Sequence, residues 1–155
     1  MLDLYEELKV LVSRLENAEI QYALCGGLAL AIYGIVRSTV DIDLMIQKDS
    51  VEKVEALARE LGYTMRAQPM TFARGEIEIR RISKNDPETG FWLSLDLLLV
   101  TPRIQEVWDG RQELDWEGGK IWVVSRRGLV SLKALRDSGQ DRDDIQKIQE
   151  ELDEN

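Results

Sequence analysis

The chain has 155 residues, 44% of them hydrophobic, with 29 acidic against 20 basic side chains and a net charge of −9. That length suits one domain with a real core, and the acidic balance argues against a general nucleic-acid surface. Histidine is absent and Cys25 is the only cysteine, which excludes serine–histidine and cysteine–histidine catalysis, an internal disulfide and a cysteine-based zinc site.

The N-terminus lacks a basic region followed by an apolar core, and no apolar run reaches about 18 residues. A cytoplasmic protein with no membrane span is expected. Leu4, Leu8, Leu11, Val12 and Leu15 recur at helical spacing and predict an amphipathic helix over 2–17 that packs on a sheet. Ile20–Cys25 reads as the first strand. Gly26-Gly27 allows a tight turn with close backbone approach, and Leu28–Tyr33 reads as a short apolar helix stopped at Gly34. Free N–H groups at such a helix start suit an anion such as phosphate, although the same pair serves an ordinary strand-to-helix turn. Arg37 can fork onto phosphate oxygens or pair with a surface acid.

Val40–Ile46 predicts a strand with Asp41 and Asp43 on one face and Ile42, Leu44 and Ile46 on the other. Two carboxylates about 6–7 Å apart at their backbones can converge on one hard cation or bridge two. A solvated strand face or a charge-blocked edge would carry the same pattern. The glycine turn and Arg37 upstream tip the balance toward a site.

Asp49 or Ser50 can cap a helix over 51–61, ended by Gly62. Tyr63–Ala67, Thr71–Arg74 and Glu76–Ile82 read as short strands, with Ile77, Ile79 and Arg81 on one face of the last, and Ser83–Gly90 reads as a turn-rich loop. Arg66, Arg74, Arg80 and Arg81 form a local excess of arginine, open to an acceptor, to phosphates or to salt bridges within an acidic protein. Phe91–Val100 is the strongest strand, and Asp96 is the only charge inside it. An unpaired charge there is costly, so Asp96 needs a cation, an open strand end or an arginine from the neighbouring hairpin. Beside Val40–Ile46 it would join Asp41 and Asp43, and three carboxylates from two strands make a divalent-metal site.

Further on, Arg103–Trp108 predicts a short helix, and Arg111–Trp116 with Lys120–Val124 a hairpin-like pair around Glu117-Gly118-Gly119. Trp108, Trp116 and Trp122 could stack a base, though packing is the commoner use of such residues. Ser125 can cap a helix over 126–137 that carries Lys133, and a last helix is expected over 141–152 before an acidic tail.

The series Gly26-Gly27-x-Ala29, Gly34, Arg37, Thr39 and Asp41-x-Asp43, joined by Lys133, Gln140-Asp141 and Asp144-Ile145, resembles the nucleotidyltransferase superfamily with the DNA polymerase beta-like fold. Within it, the pattern is most similar to small prokaryotic members of the abortive-infection toxin type and their uncharacterised relatives. The resemblance implies an α/β (α+β) fold, a mixed twisted sheet flanked by helices, as a single domain over 1–155 with helices over about 125–152 packed on it. It implies transfer of a nucleotidyl group from an NTP such as ATP to a hydroxyl acceptor, in a protein, an RNA or a small molecule, with release of pyrophosphate. Asp41, Asp43 and Asp96 would hold Mg2+ or Mn2+ and carry the catalysis. Gly26, Gly27, Arg37, Thr39 and Lys133 would bind the nucleotide. A toxin–antitoxin partner protein belongs to the same expectation. Two positions depart from the pattern: Leu28 stands where many members have Ser or Thr, and Ser138 where an arginine is frequent, with Arg136 as a substitute. They keep open a second reading, a non-catalytic nucleotide- or partner-binding regulatory subunit. A metal-dependent phosphohydrolase using the same acids is a third.

Overall fold

The structure, a computed structural model, describes residues 1–36, 38–136 and 145–150. Arg37, Ser138, Gln140, Asp141 and Asp144 lie outside the described residues, as does the Arg136 side chain.

Helix α1 (Leu4–Asn17) starts where Asp3 accepts the backbone N–H groups of Tyr5 and Glu6. That cap satisfies two of the donors a helix start leaves open, and Glu6 and Glu7 in the first turn suit the dipole. Its buried stripe is Leu8, Leu11, Val12 and Leu15. Strand β1 (Ala23–Cys25) leads directly into helix α2 (Gly26–Ile32), so the helix begins on the glycines themselves, two residues earlier than the apolar pattern predicts. Strand β2 (Asp41–Ile46) and helix α3 (Val51–Glu60) follow.

The remaining strands are β3 (Met65–Arg66), β4 (Met70–Phe72), β5 (Ile77–Asn85), β6 (Trp92–Leu99), β7 (Gln112–Trp116) and β8 (Gly119–Val123). All belong to one mixed sheet ordered β3-β5-β6-β2-β1-β8-β7, with β4 also paired to β5. Its centre is the parallel pair β2–β6, the neighbours expected from sequence, in a register that sets Asp41 beside Ser94 and Asp43 beside Asp96. Strands β5 and β1 flank that pair, each antiparallel to its neighbour. The hairpin β7–β8 joins through a parallel contact of Leu24 with Val123.

Alternation gives the sheet two unlike faces. Ile42, Leu44, Ile46, Leu95, Leu97 and Leu99 make one face, and all are buried. Helix α1 lies over it, since Lys84, projecting on that face, donates to Glu7 at 2.8 Å. The other face carries Asp41, Asp43 and Asp96 and is partly covered by helix α5 (Arg126–Arg136), which packs against helix α4 (Gln105–Asp109). Residues 145–150 are helical, and Ile148 is buried in the core. Among the described residues no helix is long and apolar enough to cross a membrane.

Two expectations are corrected. The loop over 83–90 is shorter than its composition suggests, because Ser83, Lys84 and Asn85 continue β5 opposite Ser94, Leu93 and Trp92. The side chains of Ser83 and Ser94 hydrogen-bond at 3.1 Å, which lets polar residues hold a ladder. The strand expected over 71–74 ends at Phe72, because Ala73 and Arg74 take left-handed conformations (φ 49° and 56°) in a short 3-10 turn. The tryptophans pack: Trp108 is buried, and the Arg111 guanidinium lies 4.0 Å from its ring centre and 5.1 Å from that of Trp122.

Candidate active site

The glycine turn makes room for an acid. Gly26 has φ +69°, and a Cβ built on it would fall 2.6 Å from the Asp43 Cγ and closer still to a carboxylate oxygen. Gly27 is pressed the same way, its Cβ position lying 3.0 Å from the Thr39 side chain. Cys25 pairs with Asp43 across β1–β2, so the turn is held directly over that carboxylate. Thr39 itself reaches the start of β2, with its hydroxyl 3.4 Å from the Asp41 carbonyl and 3.5 Å from the Asp41 N–H.

Three of the predicted site residues therefore share one patch. Asp41 and Asp43 project from one face of β2, both half-buried, and Asp96 stands one strand away, about 4.8 Å at the backbone, and is only 7% exposed. A fourth residue closes the patch from above. Lys133 of α5 is buried and lines a crevice with Gly26, Asp43, Asp96, Leu129 and Leu132.

The sheet adds a cation. Arg81 of β5 stands opposite Asp96 in register. Its Nε donates to Asp96 Oδ1 at 2.7 Å and its Nη2 to Oδ2 at 2.8 Å, a bidentate ion pair. The bond to Asp96 raises the Arg81 pKa, and the charges of Asp96, Asp41 and Asp43 add to it. Burial pushes the Asp41 carboxyl up from the ordinary value, the Asp96 charge pushes the same way, and Arg81 relieves part of it. Among the described residues, the patch thus sets three acids against the Arg81 guanidinium and the Lys133 ammonium.

The other arginines go elsewhere. Arg66 pairs with the buried Glu55 at 2.8 Å and Arg103 with Glu76 at 3.4 Å. Arg80 alternates with Arg81 along β5, and both line a cavity of about 380 Å³ with Glu55, Arg66 and Leu97. Arg81 reaches the acids, and strand parity was the signal: it shares a face with Ile77 and Ile79, and that face meets Asp96. Arg37 lies outside the described residues.

For a divalent ion the donor set fits in part. Asp41 and Asp43 offer hard carboxylate oxygens on a shared face. Among the described residues, no three acidic or cysteine side chains gather to hold a metal, and both Asp96 oxygens are already engaged by Arg81.

Residues 7–85 match the model of the family described as aminoglycoside-2''-adenylyltransferase. No curated protein matches the chain. Solved structures show the fold in three similar proteins. One is the lincosamide antibiotic adenylyltransferase LnuA, lincomycin-bound, at 18% identity over 93% of this chain and 95% of that one, with a TM-score of 0.64. Another is ANT(2'')-Ia in complex with adenylyl-2''-tobramycin, at 15% identity over 95% and 88%, with a TM-score of 0.66. The third is TM1012 from Thermotoga maritima, described as a nucleotidyltransferase, at 15% identity over 99% and 97%, with a TM-score of 0.61. These likenesses agree with the nucleotidyltransferase resemblance seen in the sequence.

Proposed function

The chain belongs to the aminoglycoside-2''-adenylyltransferase family, a family of nucleotidyltransferases, and from that premise we propose that it moves a nucleotidyl group from a metal-bound NTP, ATP in the first instance, to a hydroxyl of a small antibiotic-like acceptor. The observation that carries the reading is the paired face of β2. Asp41 and Asp43 stand together beneath the Gly26-Gly27 turn, with Asp96 beside them and Lys133 closing the crevice. Tobramycin and lincomycin, named with the similar structures, make aminoglycosides and lincosamides the first acceptors to try.

In this reading Asp41 and Asp43 hold Mg2+ or Mn2+, which when bound supplies charge neutralisation for the triphosphate. Gly26 and Gly27 let phosphate oxygens approach the backbone, with Thr39 packed against the same turn, and Arg37, outside the described residues, is a further candidate to meet the phosphates. Asp96 faces the acceptor, orients its hydroxyl and takes its proton as oxygen bonds to the α-phosphorus. The bond from that phosphorus to the bridging oxygen breaks, and pyrophosphate leaves with the electron pair. Lys133 neutralises charge on the leaving group.

The test is calorimetric titration of each NTP with Mg2+ into the wild type and an Asp41→Ala/Asp43→Ala variant, then pyrophosphate release with tobramycin and lincomycin as acceptors. The expected result is Mg2+-dependent binding that the variant loses, and pyrophosphate formed only when an acceptor is present. Absence of NTP binding at millimolar concentration would sink the reading. The Arg81–Asp96 ion pair supports a second reading, a nucleotide-binding domain without turnover. Binding with no pyrophosphate across both acceptor classes is the result that would favour it.

A further inference from the structure

We propose that the groove at the start of β2 and β6, walled by Val40, Phe91 and Trp92, receives the part of the acceptor that does not react, and that the acceptor is a hydroxyl compound carrying an apolar ring or chain. The inference rests on the nucleotidyl-transfer reading above and names the chemistry of its acceptor.

The site has a direction. The Gly26-Gly27 turn stands on the β1 side of Asp43, so pyrophosphate gathered under it leaves on that side. In an in-line displacement the entering oxygen arrives opposite the leaving one, here from β6, where Asp96 lies. One way along β6 is closed, because Leu98, Leu129, Leu132 and Lys133 line the crevice with Asp96. The acceptor therefore extends the other way, toward the start of the strand. By alternation Ser94 and Trp92 follow Asp96 on the same face, with Ser94 beside Asp41. Trp92 stands about 13 Å from Asp96 along the strand, within reach of a two-ring molecule whose hydroxyl meets that carboxylate.

The groove at that end has a volume of about 240 Å³. Three of its large apolar side chains face solvent, Val40 at 68%, Phe91 at 77% and Trp92 at 47% exposure. Gathered in one hollow, they differ from the single exposed apolar residues that any surface carries. A braced turn presents the two rings. The Asp86 N–H donates to the Phe91 carbonyl and the Gly90 N–H to the Asp86 carbonyl, both at 2.8 Å. The buried Asp86 carboxylate accepts the N–H groups of Leu2 and Glu88 at 2.8 and 2.9 Å. Rings held this way lose little freedom when a ligand settles on them. Thr39 joins the groove to the acids: it lines the groove, abuts Gly27 and lies 3.5 Å from the Asp41 N–H. A nucleotide base is the competing occupant.

Lincomycin joins a hydroxylated sugar to an alkyl-bearing ring, whereas tobramycin is a polyamine throughout, so lincomycin is the probe that suits this groove. Calorimetric titration of lincomycin into the protein with Mg2+ and a non-hydrolysable ATP analogue should show binding tighter than that of tobramycin. Trp92→Ala should weaken lincomycin about tenfold, and Trp92→Phe, which keeps a ring, should restore most of the affinity. Val40→Ser, at a more exposed position, should weaken lincomycin too and guards against a folding defect in the alanine variant, as does circular dichroism of each protein. Affinity for the ATP analogue should stay the same in all three. Loss of analogue affinity in a folded Trp92→Ala variant would put the base in the groove and overturn the inference. Unchanged lincomycin affinity in Trp92→Ala and Val40→Ser, or tighter binding of tobramycin, would overturn it as well and leave nucleotidyl transfer standing. Neither acceptor bound and no pyrophosphate released from ATP with either would overturn both.

Discussion

At position 26 an added methyl group would land on the Asp43 carboxylate. The backbone there is also left-handed, which costs a side chain about 1–2 kcal/mol. Gly26→Ala is therefore expected to lower stability by about that amount, read as a shift in thermal midpoint. It should also weaken Mg2+–NTP binding by moving Asp43, while Gly34→Ala, with φ +90° but open space around its Cβ, should carry the backbone cost alone. Comparing the two variants in one calorimetric titration separates strain from displacement of the acid. The residue scale also explains what the sequence withheld. That Asp96 would sit beside Asp43 follows from two apolar strands with matched alternation. That Arg81 would take both Asp96 oxygens depends on the β5–β6 register, and a one-residue slip would send Arg81 to the opposite face. The connection over 86–91 contains no two-residue turn motif that fixes such a register.

Helix α5 is the element that turns a patch of acids into a crevice. It can come close because Gly128 lacks a side chain: a Cβ there would lie 2.6 Å from Val124 Cγ1 and 3.0 Å from Val107 Cγ1 of α4. Gly128→Ala is expected to push α5 off its seat, at a cost of about 1–3 kcal/mol for overpacking. Because Lys133 rides on the same helix, nucleotide affinity should fall along with stability, and the pairing Gly128→Ala/Val124→Ala should recover both. A titration in which affinity is untouched while the midpoint drops would place Lys133 outside nucleotide binding. The helix was legible from Leu129, Leu132 and Leu135 at helical spacing, and β2 and β6 from alternation and runs of leucine. Strand β5 was only half legible. Ser83, Lys84 and Asn85 carry no apolar signal, and they hold their ladder through the Ser83–Ser94 hydroxyl pair and the reach of Lys84 to Glu7.

For the whole molecule, two phenols hold the α1 face together. Tyr63 donates to Glu7 at 3.0 Å and Tyr22 to Glu16 at 3.2 Å, and both are buried. Burial, with the neighbouring glutamates, pushes both far above the ordinary tyrosine range. In the folded state they stay neutral while the unfolded chain ionises near pH 10. Their contribution is complete below that pH and drains away as pH rises past it, because the unfolded state then binds fewer protons. The thermal midpoint should fall steeply above about pH 10, and Tyr22→Phe/Tyr63→Phe should flatten that slope, even if it starts lower. An unchanged slope would show that these phenols are not the alkaline trigger. The central parallel pair sets a different limit, on timing. Asp41 and Asp43 are made early in synthesis, but their partner strand β6 and the lysine of α5 come much later along the chain. Pairing of such distant segments is slow and waits for both to exist. A growing chain on the ribosome therefore carries Asp41 and Asp43 before the strand and the helix that complete the crevice, which closes only after the C-terminal third has emerged.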